Sequence, residues 1–166
     1  MARPLYSKRL SKELRDLAAN PPEGVSVQDA NDFKRWKLRI CGAPGRRIRS
    51  GVSIYTRVST GVTRSAFCPA PCTDSSTPKR TFYHHCTMLE PFYHVEEHIY
   101  SNGHICLNIL YKDWSPVQTV AQVCLSIQSM LSSCTKKERP PDNDLYVKSA
   151  HASPKKTAWA FHDESV

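Results

Sequence analysis

The sequence predicts an α+β domain, and three patterns carry that prediction. Leu10, Leu14 and Leu17 recur at helical spacing near the N-terminus. Trp36, Leu38 and Ile40 alternate with Lys37 and Arg39, the period of a half-buried strand. A second apolar stripe at helical spacing follows Trp114-Ser115-Pro116. At 166 residues the chain is about one domain long, and a domain of this size buries roughly two-thirds of its unfolded surface. The whole of 1–166 is therefore expected to form a single domain.

The elements follow in order. The spacing predicts a helix from Lys8 to about Ala19, capped by Ser7, with Lys8, Arg9, Lys12 and Arg15 on its other faces. Pro21-Pro22 and Gly24 end it. A polar connection leads to the strand at Trp36–Ile40, and Gly42-Ala43-Pro44-Gly45 reads as a tight turn. Residues 46–93 differ in character: they hold one leucine, thirteen Ser or Thr, three Cys and four Pro. Their seven Arg or Lys face only Asp74 and Glu90, so this stretch supplies +5 of the formal +8. Val52, Ile54 and Val58 mark one short strand there, and Thr63–Thr81 shows no periodicity. Ser101-Asn102-Gly103 is a turn before Ile105-Cys106-Leu107. A helix then opens with Ser115 as cap and Pro116 at its first position, its stripe being Val117, Val120, Cys124, Ile127 and Leu131. Lys136, Lys137 and Arg139 fall where a helix C-terminus favours cations. Arg139–Asn143 is a loop, with Leu145, Tyr146 and Trp159 as packing residues beyond it.

Composition excludes several classes. At 40% hydrophobic and 23% charged residues, the chain is neither collagenous nor fully disordered. Trp114–Thr135, its longest uncharged stretch, contains ten Ser, Thr or Gln, so no membrane span is expected. No apolar run follows the first residues, so a secretory signal is not expected either. Seven cysteines, an odd number, then read as thiols of a reducing compartment, some buried and one reactive. The net charge of +8 points to acidic partners without choosing among them.

The run Ile99-Tyr100-Ser101-Asn102-Gly103-His104-Ile105-Cys106-Leu107-Asn108-Ile109-Leu110, followed by Trp114-Ser115-Pro116, resembles the active-site stretch of ubiquitin-conjugating enzymes. Arg139-Pro140-Pro141-Asp142-Asn143 and the ending with Lys155-Lys156-Thr157, Trp159 and His162-Asp163 look like the W-type subgroup and its plant relatives. The resemblance covers 1–45 and 98–166. It implies the α+β fold of that family: an N-terminal helix, an antiparallel meander with weak second to fourth strands, a loop bearing Cys106, and C-terminal helices. It also implies a chemistry. Cys106 accepts the ubiquitin C-terminus from an activating enzyme as a thioester and loses it to an amine. An ordinary thiol, with a pKa of ~8.5, is only a few per cent ionised at neutral pH, so its placement must favour the thiolate.

Further roles follow from the resemblance. The family carries an Asn of a His-Pro-Asn box eight residues before the nucleophile; this chain has His98 there, as in the W-type subgroup. A histidine donor serves the same electrostatic role toward a developing oxyanion. Asp142 or Asp144 would orient the incoming amine, and Lys8, Arg9 and Lys12 would meet the activating enzyme. W-type enzymes favour an α-amino acceptor over lysine. At neutral pH an α-amine of pKa ~7.8 is neutral several hundred times more often than a lysine of ~10.4. The partners implied are ubiquitin, its activating enzyme, a RING-type ligase and protein substrates, in cytoplasm or nucleus. No metal or organic cofactor, no membrane and no nucleic acid are implied.

The chain departs from the pattern at Glu96 and Glu97, which stand where the box has His and Pro. The family's Tyr-Pro-Phe-x-x-x-Pro stretch is also missing. Residues 46–97 thus read as an atypical insert or a mis-translated segment; a transcript giving the segment in frame, with peptides recovered from 46–93, would refute mis-translation. Two alternatives stand beside the enzyme. One is a catalytically impaired variant of the same fold. The other is a basic zinc- or nucleic-acid-binding module built on Cys68, Cys72, His84, His85, Cys86, His94 and His98. The spacing argues against that module: 21 residues separate Cys72 from His94, where a two-Cys, two-His finger has about twelve.

Overall fold

The computed structural model describes residues 5–32, 35–41, 52–62, 80–88, 98–111, 113–115, 117–133 and 138–151. The expected turn at 42–45, the segment 63–79, Glu96, Glu97 and Trp159 lie outside the described residues. Helix α1 spans Leu5–Ala19 and buries Leu10 and Leu17. It begins before Ser7, so Ser7 is a helical residue and not the cap. Serine costs only a modest amount inside a helix, so the helix passes through it. The helix stops at Ala19, ahead of Pro21-Pro22. A turn closed by Val25 N–H to the Pro22 carbonyl at 2.9 Å then reverses the chain. Gly24 takes φ +76° there, a conformation that glycine adopts without the Cβ penalty.

Among the described residues four antiparallel strands follow in the order of the chain: β1 Val25–Asp32, β2 Arg35–Ile40, β3 Val52–Val62 and β4 Arg80–Met88. β2 alternates as its sequence demands. Trp36, Leu38 and Ile40 are fully buried, Arg35 and Arg39 exposed. β1 occupies what the sequence presents as a polar connection; it is held by pairing Val25 with Ile40 and Val27 with Leu38, with irregular register after Val27. β3 is longer than the short strand expected around Val52–Val58, and it pairs in unbroken register with both neighbours. Both β3 and β4 come from residues 46–97, so that stretch supplies two strands of the sheet seen among the described residues.

Helix α2 runs over Val120–Ser133, later than the Ser115-Pro116 signal predicts. Thr119 caps it: its Oγ1 accepts from Gln122 N–H at 3.3 Å, and Gln122 Oε1 accepts from Thr119 N–H at 2.8 Å. That reciprocal pair is a capping box, and it outcompetes a Ser-Pro start. Val117 therefore leaves the apolar stripe and is 79% exposed, while Val123 and Met130 join it. A short helix α3, Asn143–Ser149, buries Tyr146 and leaves Leu145, expected to pack, 74% exposed. The core lies between the sheet and the helices, joining Leu10 and Leu17, Trp36, Leu38, Ile40, Ile54, and Val123, Ile127 and Leu131.

One carboxylate locks α1 to α2. Glu13 accepts from Arg9 Nε at 2.6 Å and from Val120 N–H, at the α2 N-terminus, at 3.2 Å. Arg9 also donates to the Gln118 carbonyl at 2.8 Å. A negative charge at a helix N-terminus is favourable, since the unpaired N–H groups there carry the positive end of the helix dipole.

Candidate active site

The turn around Ser101-Asn102-Gly103 forms as the sequence predicts. Ile99 and Ile105 face each other in an antiparallel bridge, both fully buried in the main core. Tyr100 N–H donates to the His104 carbonyl at 3.0 Å, and Gly103 N–H to the Tyr100 carbonyl at 2.9 Å. Gly103 sits at φ +85°, and Asn102 Oδ1 accepts from His104 N–H at 3.1 Å. With Ile105 turned into the core, extended backbone sends the next side chain the other way. Cys106 accordingly leaves the main core and packs with Tyr100 and Tyr146 in a second, smaller cluster. It is 9% exposed, a thiol at the edge of an aromatic wall and more enclosed than a nucleophile standing free.

The structure brings several of the expected site residues together. Cys106 N–H donates to the His98 carbonyl at 2.8 Å, so the eight-residue spacing becomes adjacency across the two arms of the turn. His98 itself is half-buried. Asp142 joins through Tyr100, whose hydroxyl donates to the two carboxylate oxygens at 3.1 and 3.3 Å. Asp144 does not join: it is exposed in the first turn of α3 and accepts from the neighbouring Asn143 amide at 3.0 Å. Among the basic residues of α1, Lys8 and Lys12 are exposed. Arg9 is committed to Glu13 and Gln118, so it is a link between elements and not an open surface cation.

Residues to which the sequence assigns no role in the site complete it. Tyr100 and Tyr146 stack, ring centroids 3.8 Å apart and planes 24° off parallel. The Tyr146 hydroxyl lies 2.9 Å from Nδ1 of His104, which is buried. Asn143 Oδ1 accepts from Ser101 N–H at 2.9 Å, and the Arg139 guanidinium donates to the Ile99 carbonyl at 3.0 Å. Arg139 thus serves the turn; the expectation that it neutralises a helix C-terminus is replaced by this link. Four polar contacts therefore tie the segment 139–146 to the turn at 99–104. Burial, then the Asp142 carboxylate and the Cys106 sulfur, push the Tyr100 phenol well above its ordinary value, so the ring beside the thiol is neutral. No local signal marks this pairing, because its partners are about forty residues apart.

Among the described residues no group of three or more His, Cys, Asp or Glu is arranged to hold a metal ion. Of the residues considered for zinc, Cys68, Cys72 and His94 lie outside the described residues. Among the described residues no helix is long and apolar enough to cross a membrane.

Comparison with known proteins bears on this arrangement. The family model for ubiquitin-conjugating enzymes matches residues 76–161, which takes in β4, Cys106, α2 and α3. A probable ubiquitin-conjugating enzyme E2 16 of Arabidopsis thaliana is 40% identical over 170 residues, spanning 98% of this chain and 91% of the relative. The ubiquitin-conjugating enzyme E2 W of Caenorhabditis elegans is 40% identical over 163 residues, 96% of this chain and 97% of that protein. Among solved structures, the ubiquitin-conjugating enzyme E2 UbcA1 of Agrocybe aegerita aligns with a TM-score of 0.73 at 34% identity, covering 92% of this chain and 100% of its own.

Proposed function

The chain belongs to the ubiquitin-conjugating enzyme family, and from that membership we propose that it carries ubiquitin on Cys106 and passes it to substrate amines. The family is one of transferases whose general partners are ubiquitin, an activating enzyme and a ligase. The observation that carries the assignment to this sulfur is its location. Cys106 follows the bridged turn, turned out of the main core and joined by its backbone to His98.

The chemistry needs two exchanges. In the first, the Cys106 thiolate attacks the carbonyl carbon of the activated ubiquitin C-terminus, and the donor sulfur leaves. In the second, a neutral amine attacks the Cys106 thioester. The tetrahedral oxyanion then collapses, the C–S bond breaks, and the amine's surplus proton passes to solvent or to the departing thiolate. His98, at the far arm of the turn, is the residue we assign to the oxyanion or to the loop beside it. Asp142, fixed by Tyr100, is the carboxylate we assign to the acceptor amine, and Asp144 is dropped from that role. Lys8 and Lys12, exposed on α1, are assigned to the activating enzyme. A RING-type ligase and an α-amino acceptor are the finer partners proposed. The residues 1–166 are treated as one domain, supported by the pairing of β3 with β2. Cytoplasm or nucleus is the proposed location, supported by Cys41, Cys106 and Cys124, which are in no disulfide.

A charging assay with activating enzyme, ubiquitin and ATP tests the proposal. The expected result is a ubiquitin adduct cleaved by a thiol reductant and absent from Cys106→Ala. Folded wild-type chain that takes no ubiquitin would overturn it in favour of a catalytically impaired variant, the reading that the enclosure of Cys106 favours.

A further inference from the structure

The transfer reaction gives a role to the cations of α1 and none to those of the sheet. The inward face of β2 carries Trp36, Leu38 and Ile40. Its outward face carries Arg35, Lys37 and Arg39, the two arginines exposed and the lysine half-buried. A solvent-facing strand needs polar residues, but Ser, Thr or a mixture of charges meets that need with less repulsion. Charges on an edge strand also deter unwanted pairing, yet β2 is no edge, since β1 and β3 flank it. Three cations in a row on an interior strand are more than the fold itself requires.

The neighbouring strands neutralise little of this row. On one side Arg39, Lys37 and Arg35 stand in register with Ser26, Asp29 and Asp32. On the other side their partners are Ser53, Tyr55 and Arg57, none of them acidic. The acid opposite Lys37 is turned elsewhere: the Asp29 carboxylate accepts from Asn31 N–H at 3.1 Å, within its own strand. Among the described residues Lys37 and Arg39 enter no ion pair, whereas Arg9 is matched by Glu13. Arg35 has Asp32 opposite it, so Lys37 and Arg39 are the cations left for an outside partner.

The spacing of the row says what kind of partner fits. Alternate residues of a strand lie about 6.8 Å apart on one face, so an extended chain with acids at every second position repeats at the same interval. Carboxylates also match the planar fork of an arginine. A single-stranded nucleic acid fits less well. Such strands are held by stacking on aromatic rings as well as by charge, and β1 and β2 present no aromatic residue outward. We propose that the outward face of β2 docks an extended acidic protein segment, with carboxylates at alternate positions on Lys37 and Arg39. This docking goes beyond the Cys106 reading and does not depend on it.

A fluorescent peptide of about ten residues, Glu alternating with Ser, tests the proposal by its anisotropy on titration with the full chain. Wild type and Cys106→Ala are expected to bind it alike, and raising salt from about 0.05 M to about 0.5 M weakens binding by about fivefold or more. Lys37→Glu with Arg39→Glu weakens binding by about tenfold, two exposed contacts being turned from attraction to repulsion. Arg15→Glu with Lys148→Glu makes the same change in net charge on α1 and α3 and leaves binding within about twofold. Lys37→Gln with Arg39→Gln, expected to weaken it by about threefold, carries the test if the reversed protein does not fold. Moving the same Glu residues to every third position also costs about threefold, because the repeats no longer match. No anisotropy change up to about 100 μM wild-type chain overturns the proposal. So do equal losses from the two charge-reversal pairs, which would leave only a net-charge effect, and equal affinity for the two peptides. A single-stranded oligonucleotide of matched charge that binds more tightly than the peptide, and is lost in the Lys37 and Arg39 variants, overturns the choice of occupant.

Discussion

Gly24 sits where α1 gives way to β1, and its replacement by alanine probes how closely three elements meet. Its carbonyl accepts from Cys41 N–H at 2.7 Å, at the end of β2. An added Cβ would lie 2.7 Å from the Gln128 amide nitrogen on α2 and 2.9 Å from the Cys41 carbonyl, closer than carbon approaches either group. The Gln128 amide is the softer neighbour, but moving it breaks its bonds to the Glu23 and Cys41 carbonyls at 2.9 and 2.7 Å. Alanine at φ +76° costs ~1–2 kcal/mol in backbone strain, and each lost hydrogen bond about 1 kcal/mol. Alanine's restriction of the unfolded chain returns ~0.4–1 kcal/mol. The net loss is about 2–3.6 kcal/mol, or a fall in Tm of roughly 4–14 °C for a chain of this length. Urea unfolding of Gly24→Ala, Gln128→Ala and the double variant checks the sum. If the amide is what the methyl strikes, the same two hydrogen bonds are lost in either single variant, and the double variant is more stable than additivity predicts by about 2 kcal/mol. A Gly24→Ala protein within ~0.5 kcal/mol of wild type would refute the reasoning, since surface changes without a mechanism fall in that range.

Three other outcomes follow from the same structure. Glu13→Ala removes the carboxylate that neutralises Arg9 and caps α2, and urea unfolding is expected to show a loss of about 1–2 kcal/mol, with Glu13→Gln intermediate. Burial pushes the Cys124 thiol up to about 12. A raised folded-state value makes its contribution complete below the unfolded value of ~8.5 and lost as pH climbs from there toward 12. Wild type should therefore lose stability more steeply than Cys124→Ala between pH 9 and 10, by up to ~1.4 kcal/mol per pH unit, and equal slopes in urea melts would exclude the effect. Leu38→Ala empties a fully buried site in the centre of the core and is expected to cost ~2–5 kcal/mol, measured by thermal unfolding at fixed pH.

The legible parts of the fold are those whose signal is local. The leucines of α1, the alternation of β2 and the Asn-Gly turn before Cys106 each state their structure within a few residues. β1 does not: only Val25 and Val27 mark it, and the strand exists because β2 offers partners across the sheet. β4 carries aromatic and threonine residues suited to a strand, Thr81-Phe82-Tyr83, but the sequence before it has no period to frame them. Two start signals compete before α2, and Thr119-x-x-Gln122 wins because its side chain and backbone satisfy one another reciprocally. At the site, Cys106, His98 and the position of Asp142 are carried by motif spacing. Tyr100, His104 and Tyr146 acquire their meaning only when the chain folds back, bringing residues 42 apart into hydrogen-bond range.

Ile105 and Cys106 are neighbours in sequence and face opposite ways, one into the hydrocarbon interior and one toward the phenol rings. The sulfur is thereby moored to the packing of the whole domain by a single peptide unit. Swelling or hollowing the interior beneath Ile105, even from a helix on the far side, tilts that unit and re-aims the thiol. For this chain the packing beneath Ile105 sets the direction in which the Cys106 side chain is held.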